Sequence, residues 1–246
     1  MKWNIVADSS CDLKELEGLS DAHVVQYASV PFVITVEEED FIDDEAIALE
    51  RMLDGMEKHK AITRTSCPSP AAWMEAFSQE GNVIAVTISS KLSGSYNSAC
   101  TAAELLRQEH PEKKIAVIDS VSAGAGLVML VRKICGWIEE GKSFEAVVSE
   151  ARATADRKRT IFALCSFHNL IKNGRMSPVT GFAAHALHFW GIGIGTWDGE
   201  IRVKGRVRGA KKMIRAIVED IHEFGSPIHC VYICHCQNLE MARQLK

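Results

Sequence analysis

The sequence lacks long apolar runs and carries little net charge. Its densest apolar stretch, residues 123–134, contains Arg132 and Lys133 and falls well short of the roughly 20 residues that span a bilayer. A lysine at position 2 comes too early for the apolar core of a secretory signal peptide, so we expect a cytoplasmic protein. The net charge of -4 excludes the strongly basic surface typical of nucleic-acid-binding domains, and we expect no nucleic-acid partner.

Common catalytic and metal-binding signatures are also missing. There is no GxSxG nucleophile motif and no GxxxxGK[ST] loop, and the glycine-rich segment 191–195 precedes a hairpin rather than a helix. Cysteine and histidine gather at residues 229–236, but their spacing matches no zinc site. We expect a buried strand there, with Cys230, Cys234 and Cys236 on one face. We also expect all eight cysteines to be reduced thiols, and we expect neither a metal nor a cofactor.

The first part of the chain has an α/β pattern. Its 246 residues, 47% of them hydrophobic, are enough for one or two domains. Unbroken apolar runs at residues 3–7, 83–88 and 115–118 are each followed by an amphipathic helical segment. This alternation is typical of a parallel sheet that is buried on both faces. We therefore predict a three-layer α/β domain with a parallel sheet over residues 1–157.

The pattern changes after a charged segment at residues 152–159. Two β-like runs, 191–195 and 200–203, flank an Asp-Gly pair, which is a strong hairpin signal. Together with predicted strands at 160–166 and 228–234 and a helix at 209–224, the hairpin indicates an α+β domain with an antiparallel sheet over residues 158–246. A last helix begins at Asn238 and has room for only two turns, so we expect the chain to be truncated.

Hydroxyl side chains cluster in turns that precede helices. Helix starts present free backbone N–H groups, and nearby hydroxyls add further donors, so such turns bind anions. The strongest candidates are Thr65, Ser66, Ser93, Gly94 and Ser95. The alternative is that each serine only caps its helix, a contribution of about 1 kcal/mol. On the residues alone, two functions stay open: binding of an anionic ligand, and phosphotransferase or hydrolase chemistry on a small anionic substrate.

A basic stretch lies in the second predicted domain. Six cations fall within eleven residues of a chain that is acidic overall, which predicts a one-sided positive patch: Arg202, Lys204, Arg206, Arg208, Lys211 and Lys212. Such a patch docks an anionic partner surface, and a purely regulatory interaction domain would use it in the same way. The alternative is a solvated edge strand, where basic residues prevent edge-to-edge aggregation.

Six motifs, in this order along the chain, resemble the DegV family, of the fatty-acid-binding, FakB-like type. They are DSSCDL (8–13), TSCPSP (65–70), SSKLSGSY (89–96), IDSVSA (118–123), GRMS (174–177) and VRGAKK (207–212). The family's closing segment with an HxGPG-like motif is absent from this sequence.

The resemblance implies a binding protein rather than an enzyme. A long-chain fatty acid such as palmitate, stearate or oleate would lie between the two domains, and its carboxylate would be presented to a separate fatty acid kinase. Thr65, Ser66, Ser93, Gly94 and Ser95 would bind the carboxylate, with Arg175 supplying a cation. A transient contact with a membrane surface is compatible with the resemblance. Residues expected to line the acyl tunnel are Phe162, Leu164, Phe182, Ile192 and Ile194.

Overall fold

The computed structural model describes residues 2–16, 25–59, 63–176, 189–225 and 227–246. The chain folds into two compact units, Met1–Lys158 and Arg159–Lys246. The predicted tunnel residue Phe182 lies outside the described residues.

The first unit contains seven strands and five helices within the described residues. The strands are β1 (Trp3–Asp8), β2 (Val25–Val30), β3 (Val33–Val36), β4 (Glu39–Ile42), β5 (Thr63–Ser66), β6 (Asn82–Thr87) and β7 (Ile115–Asp119). The helices are α1 (Leu49–His59), α2 (Pro70–Phe77), α3 (Ser95–Glu109), α4 (Ala125–Glu139) and α5 (Phe144–Arg157).

A four-stranded parallel sheet in the order β2-β1-β6-β7 forms the middle of this unit. All six residues of β1 are buried, because helices cover both faces. Ile5 packs with α4 and α5 on one face, whereas Val6 packs with α2 and α3 on the other. The three apolar runs are therefore parallel strands, and the predicted three-layer architecture is confirmed.

Five elements of the first unit were not predicted. These are β2, the small antiparallel sheet β4-β3-β5, and helix α5. The charged segment 152–159 is largely the end of α5, whose other face buries Phe144, Val147 and Ala151 against the parallel sheet. The charged residues of α5 lie on the solvent face of an amphipathic helix, so the charged segment read alone does not reveal the apolar face.

The second unit is built on an antiparallel sheet in the order β10-β9-β8, as predicted. Its elements are β8 (Ile161–Leu164), α6 (His168–Lys172), β9 (Phe189–Gly195), β10 (Ile201–Arg208), α7 (Ala210–Glu223) and α8 (Leu239–Leu245). The β9–β10 turn has Gly199 at φ 91°, a left-handed conformation that favours glycine. Met213 and Ile217 of α7 pack on one face of the sheet with Ile192.

The predicted strand at 228–234 is wrong. Residues 227–235 pair with no strand in the described part of the chain, and Cys230, Cys234 and Cys236 are exposed. An extended segment becomes a strand only when a neighbouring edge offers partners for its N–H and C=O groups, and apolar composition alone does not supply that edge. All eight cysteines are free in the structure.

Candidate functional site

Three parallel strands end side by side at the edge of the sheet where the hydroxyl turns lie. Strand β6 lies between β1 and β7, so the loop that follows it, residues 88–94, leaves from the centre of this edge. Asp8 ends β1 and Asp119 ends β7, which places one carboxylate on each side of the loop. Ligands of open α/β sheets bind at this carboxyl edge.

The loop after β6 presents two hydrogen-bond donors. The carbonyl of Ser89 accepts from the backbone N–H groups of Leu92 and Ser93, at 2.9 and 3.2 Å, and so closes a compact turn. The Ser93 hydroxyl oxygen accepts from the N–H of Ser95 at 3.3 Å, which leaves its own proton to donate. Gly94 is exposed, and no hydrogen bond of its N–H is found among the described residues.

The turn at 65–70 lies next to this loop. Ser69 caps α2 by accepting from Ala72 N at 3.2 Å, and Pro70 opens the helix, as the sequence predicted. The Ser98 hydroxyl of α3 donates to the carbonyl of Pro68 at 2.6 Å. A Cβ built on Gly94 would lie 3.4 Å from the sulfur of Cys67. Residues 65–70 and 93–95 therefore form one continuous surface. They are called the head-group turns from here on, after the carboxylate that the resemblance implies there.

Thr65 and Ser66 end strand β5 at this surface. Both residues are exposed, and their neighbours across the ladder are Ile34 and Val33 of β3. No side-chain hydrogen bond of either hydroxyl is found within the described ranges. The two hydroxyls can therefore donate to a ligand without breaking a bond that holds the fold.

Ser95 has a different partner from the one expected. Its side chain is fully buried, and its hydroxyl donates to Asp8 Oδ2 at 2.7 Å. Since a hydroxyl has one proton, Ser95 cannot donate to a ligand at the same time. Its hydroxyl ties the start of α3 to strand β1 instead.

Asp8 is a buried carboxyl beneath the head-group turns. Besides Ser95, it accepts from the Ser10 hydroxyl at 2.5 Å and from Ile88 N at 2.9 Å. Burial raises the pKa of Asp8 above its usual value, although these hydrogen bonds act in the opposite direction. Desolvation therefore outweighs these three donors together with the backbone N–H of Ser10, which makes an ionised Asp8 costly for folding.

Lys158 lies on the other side of the site. Its Nζ donates to the carbonyl of Ala155 at 3.2 Å, and its Cε lies 3.3 Å from where a Cβ on Gly126 would be. Burial lowers the pKa of Lys158 to about 8, against the attraction of Asp119 and Asp156. Lys158 is therefore a desolvated cation close to the edge where the parallel strands end.

Replacing Lys158 with methionine should stabilise the first unit at pH 7. Both folded and unfolded chains carry the proton at that pH, and only the folded chain loses its hydration, so the variant should melt about 2–6 °C higher. Between pH 8 and pH 10.5 the unfolded chain binds a proton that the folded chain releases, so wild-type stability rises and the difference shrinks. Circular dichroism melts at pH 7 and pH 9.5 measure this. A variant that is less stable at pH 7 contradicts the assignment.

Arg175 belongs to the second unit. It is exposed and follows α6, and its Nη1 donates to the carbonyl of Asn173 at 2.6 Å. Gly174 just before it has φ 70°, so the chain turns sharply here. The guanidinium therefore stands at the tip of a tight turn.

The predicted tunnel residues divide between the two faces of the second sheet. Phe162 and Leu164 pair with Gly193 and Gly191, so their side chains lie opposite α7. The Phe162 ring lies directly over Gly193, where an added Cβ would fall 2.3 Å from the ring. Ile192, in contrast, is only 3% exposed and packs into the α7 core. Ile192 is thus a core residue and does not line an open acyl tunnel.

Ile194 lies two residues beyond Ile192 on the same strand. By strand alternation it shares the α7 face, and its partner in the ladder is Arg202. On the face of the sheet opposite α7, Phe162 and Leu164 therefore lie beside Gly193 and Gly191 of β9.

A β-bulge splits the basic stretch of β10 between the two faces. Val203 pairs with Gly193 and Gly205 with Ile192, which leaves Lys204 as an extra residue in the ladder. Before the bulge, Arg202 shares the α7 face. After it, Arg206 and Arg208 share the opposite face, where both guanidinium groups lie over the Phe189 ring, at 5.7 and 6.0 Å. The predicted one-sided patch is therefore wrong.

Lys204 is engaged within the second unit. Its ammonium pairs with Asp220 and, at 2.9 Å, with Glu223, both on α7. Hydrogen bonds to Asp220 and then Glu223 raise the pKa of Lys204. This cation therefore tethers strand to helix and contributes little free charge to the surface.

A surface cavity of about 550 Å³ lies at the other end of the parallel strands, beside the start of β7. Arg107 donates to the carbonyl of Ile115 at 2.8 Å, and Lys114 pairs with Glu145 at 2.6 Å. These cations therefore hold α3 and α5 to the start of β7, far from the head-group turns. Lining residues are Arg107, Lys113, Lys114, Ile115, Phe144, Glu145, Val148, Ser149 and Arg152.

Neither a metal centre nor a membrane span is found in the described part of the chain. Within those residues, no group of three or more His, Cys, Asp or Glu side chains is placed to hold a metal ion. None of the helices in those ranges is both long and apolar enough to cross a membrane.

Comparison with known proteins identifies the family. A family model described as "Uncharacterised protein, DegV family" matches residues 2–246. The chain belongs to the DegV family. A DegV domain-containing protein of Streptococcus pyogenes serotype M18 is 37% identical over 245 residues, which is 100% of this chain and 87% of that protein. The resemblance drawn from the six motifs is thereby confirmed.

Two solved DegV-type structures match the fold closely. A DegV family protein from Eubacterium eligens, loaded with heptadecanoic acid, has a TM-score of 0.92 and 37% identity over 99% of this chain and 86% of its own. The fatty acid kinase (Fak) B3 protein of Streptococcus pneumoniae, loaded with linoleic acid, has a TM-score of 0.91 and 32% identity over 100% of this chain and 86% of its own. Both carry a long-chain fatty acid.

Proposed function

We propose that this protein binds a long-chain fatty acid and is a carrier rather than an enzyme. The observation that carries the proposal is the set of uncommitted donors on the head-group turns: the hydroxyls of Thr65, Ser66 and Ser93 and the N–H of Gly94. The fatty-acid-loaded relatives at 37% and 32% identity support a carboxylate as the anion that these donors meet.

The head group fixes the orientation of the ligand. Each hydrogen bond to the charged carboxylate contributes about 1.5–3 kcal/mol in a partly desolvated site. Arg175 supplies the compensating cation in this proposal. Ser95 acts indirectly, because its hydroxyl donates to Asp8.

The acyl chain provides most of the affinity. Burial of each methylene contributes about 0.8 kcal/mol, so sixteen to eighteen carbons outweigh the head-group contacts. We place the acyl chain on the apolar surface of the second unit opposite α7, where Phe162 and Leu164 are half-buried. The glycines of β9 add no side chains to that surface.

Lipid content tests the function directly. Purified protein should release a fatty acid of sixteen to eighteen carbons on denaturing extraction, detected by mass spectrometry. Delipidated protein should take up palmitate or oleate in a one-to-one ratio. Protein that stays empty after incubation with both acids rules the proposal out.

We further propose that the bound carboxylate is presented to a fatty acid kinase. In that reaction a carboxylate oxygen attacks the terminal phosphorus of a nucleoside triphosphate, and the nucleoside diphosphate leaves. The carrier would hold the carboxylate while the kinase supplies the nucleotide. The relative whose name includes fatty acid kinase supports this pairing.

Arg206 and Arg208 are the cations we assign to docking an acidic kinase surface. The double change to glutamate should weaken kinase binding at least about tenfold, since two attractive contacts become repulsive. Arg202→Glu is the control, because Arg202 lies on the other face of the same strand. Surface plasmon resonance against the cognate kinase measures both variants, each loaded with the same fatty acid to the same level. Equal losses in the double variant and the control would contradict the assignment.

A further inference from the structure

The loop that carries Ser93 and Gly94 is held by carboxylates on both sides. From β1, Asp8 Oδ2 accepts from Ile88 N at 2.9 Å, at the start of the loop, and from the Ser95 hydroxyl at 2.7 Å, at its end. The two contacts fix the points where the loop leaves β6 and enters α3.

The second carboxylate acts from the opposite side. Asp119, at the end of β7, has both oxygens 3.2 Å from Ser90 N, and its Oδ1 also accepts from Val121 N at 2.8 Å. Val121 has φ 53°, a left-handed conformation that is costly for a β-branched residue. The Asp119 bond therefore also holds a strained turn.

We propose that Asp8 and Asp119 are positioning residues that clamp loop 88–95 so that the Ser93 hydroxyl and the Gly94 N–H point at the fatty-acid head group. This inference rests on the proposed function. Between the clamped points, the loop's own hydrogen bonds converge on Ser89: its carbonyl accepts from Leu92 and Ser93, and its hydroxyl accepts from Lys91 N at 3.2 Å. Ser89 N also donates to the Ser122 carbonyl at 2.8 Å, so the two carboxylates fix the ends of a loop that is compact in itself.

Stability alone does not account for a carboxyl at position 8. Burial raises the pKa of Asp8, so its ionised form reduces the free energy of unfolding at neutral pH. Groups that cost stability and order a binding loop are typical of functional sites.

The paired variants Ser95→Ala and Ser10→Ala test the clamp. Each removes one hydroxyl that donates to Asp8, but only Ser95 belongs to the loop. Ser95→Ala should weaken binding of a fluorescent fatty acid by about tenfold, and Ser10→Ala by less than about twofold. Equal losses in the two variants would overturn the proposal.

Amide hydrogen exchange of the delipidated protein gives a second, ligand-independent readout. Ser95→Ala should speed exchange at Leu92 and Ser93 at least about tenfold, because the loop opens more often when one anchor is lost. Ser10→Ala should leave those amides at wild-type rates. Failure of wild-type protein to bind any fatty acid would defeat the proposed function alone, whereas unchanged exchange in Ser95→Ala would defeat the clamp.

Conservative substitution separates positioning from general stability. Asp8→Asn keeps an oxygen toward Ile88 N and the Ser95 hydroxyl, and its amide can donate to the Ser10 hydroxyl but cannot accept from the Ser10 N–H. Both loop anchors are kept, so the affinity of this variant should stay within about twofold of wild type. Its melting temperature should equal or exceed that of wild type, because no charge is buried. Asp8→Ala should lose about tenfold in affinity. An Asn variant as weak as the Ala variant would contradict the clamp.

Discussion

Replacing Gly94 with valine should weaken fatty-acid binding by at least about 100-fold while the first unit stays folded. Gly94 has φ -73° and ψ -1°, which any L-residue adopts, so the change adds no backbone strain. Its Cβ would lie 3.4 Å from Cys67 Sγ, an ordinary contact. The two further methyl groups would occupy the space in front of the Gly94 N–H, where the carboxylate has to lie.

Gly94→Ala is the matched control for this prediction. A single methyl group meets only the sulfur of Cys67, so its loss of affinity should be less than about tenfold. Displacement of a fluorescent fatty acid gives the affinities, and circular dichroism melts confirm folding. Wild-type affinity in Gly94→Val would show that the head group does not bind at these turns.

Shortening the ligand should have an even larger effect. Decanoate has six fewer methylene groups than palmitate, and at about 0.8 kcal/mol each this removes about 5 kcal/mol of binding free energy. The affinity should therefore fall by at least about 1000-fold. Competition against one fluorescent fatty acid measures both ligands under the same conditions.

The head group can be tested with the same assay. Hexadecanol keeps an alkyl chain of sixteen carbons and one hydrogen-bonding oxygen but lacks the charge, so its loss should correspond to one charge-assisted hydrogen bond, about 1.5–3 kcal/mol. The chain-length effect should exceed the head-group effect. The reverse order would mean that binding at the head-group turns, and not tail burial, drives association.

Much of the first unit follows from local sequence. Buried parallel strands have few polar residues, so their apolar runs stand out, and a serine followed by proline marks the start of α2. The same reasoning placed Ser93 at the carboxyl edge of the sheet, because parallel strands end together, whereas Thr65 and Ser66 were assigned to a separate turn that opens a helix. The structure brings their two turns into contact through Pro68 and Cys67.

Other features depend on contacts that no local pattern encodes. Ser95 looks like a ligand donor in sequence, but its orientation toward Asp8 is decided by residues 87 positions apart. Asp8 and Asp119 each follow an apolar strand, and that placement was the available signal for the clamp. The small sheet β4-β3-β5 has short, partly exposed strands with weak apolar alternation.

Because Lys204 is an extra residue in the ladder, the bulge decides on which face of the sheet each cation of β10 lies. Side chains alternate between faces with a period of two, so one inserted residue inverts the relation between everything before it and everything after it. If Lys204 instead took a regular place in the ladder, Arg202 would lie on the same face as Arg206 and Arg208 without any change of amino acid. The bulge, and not the spacing of the cations along β10 alone, therefore decides on which face of the sheet the positive charge lies.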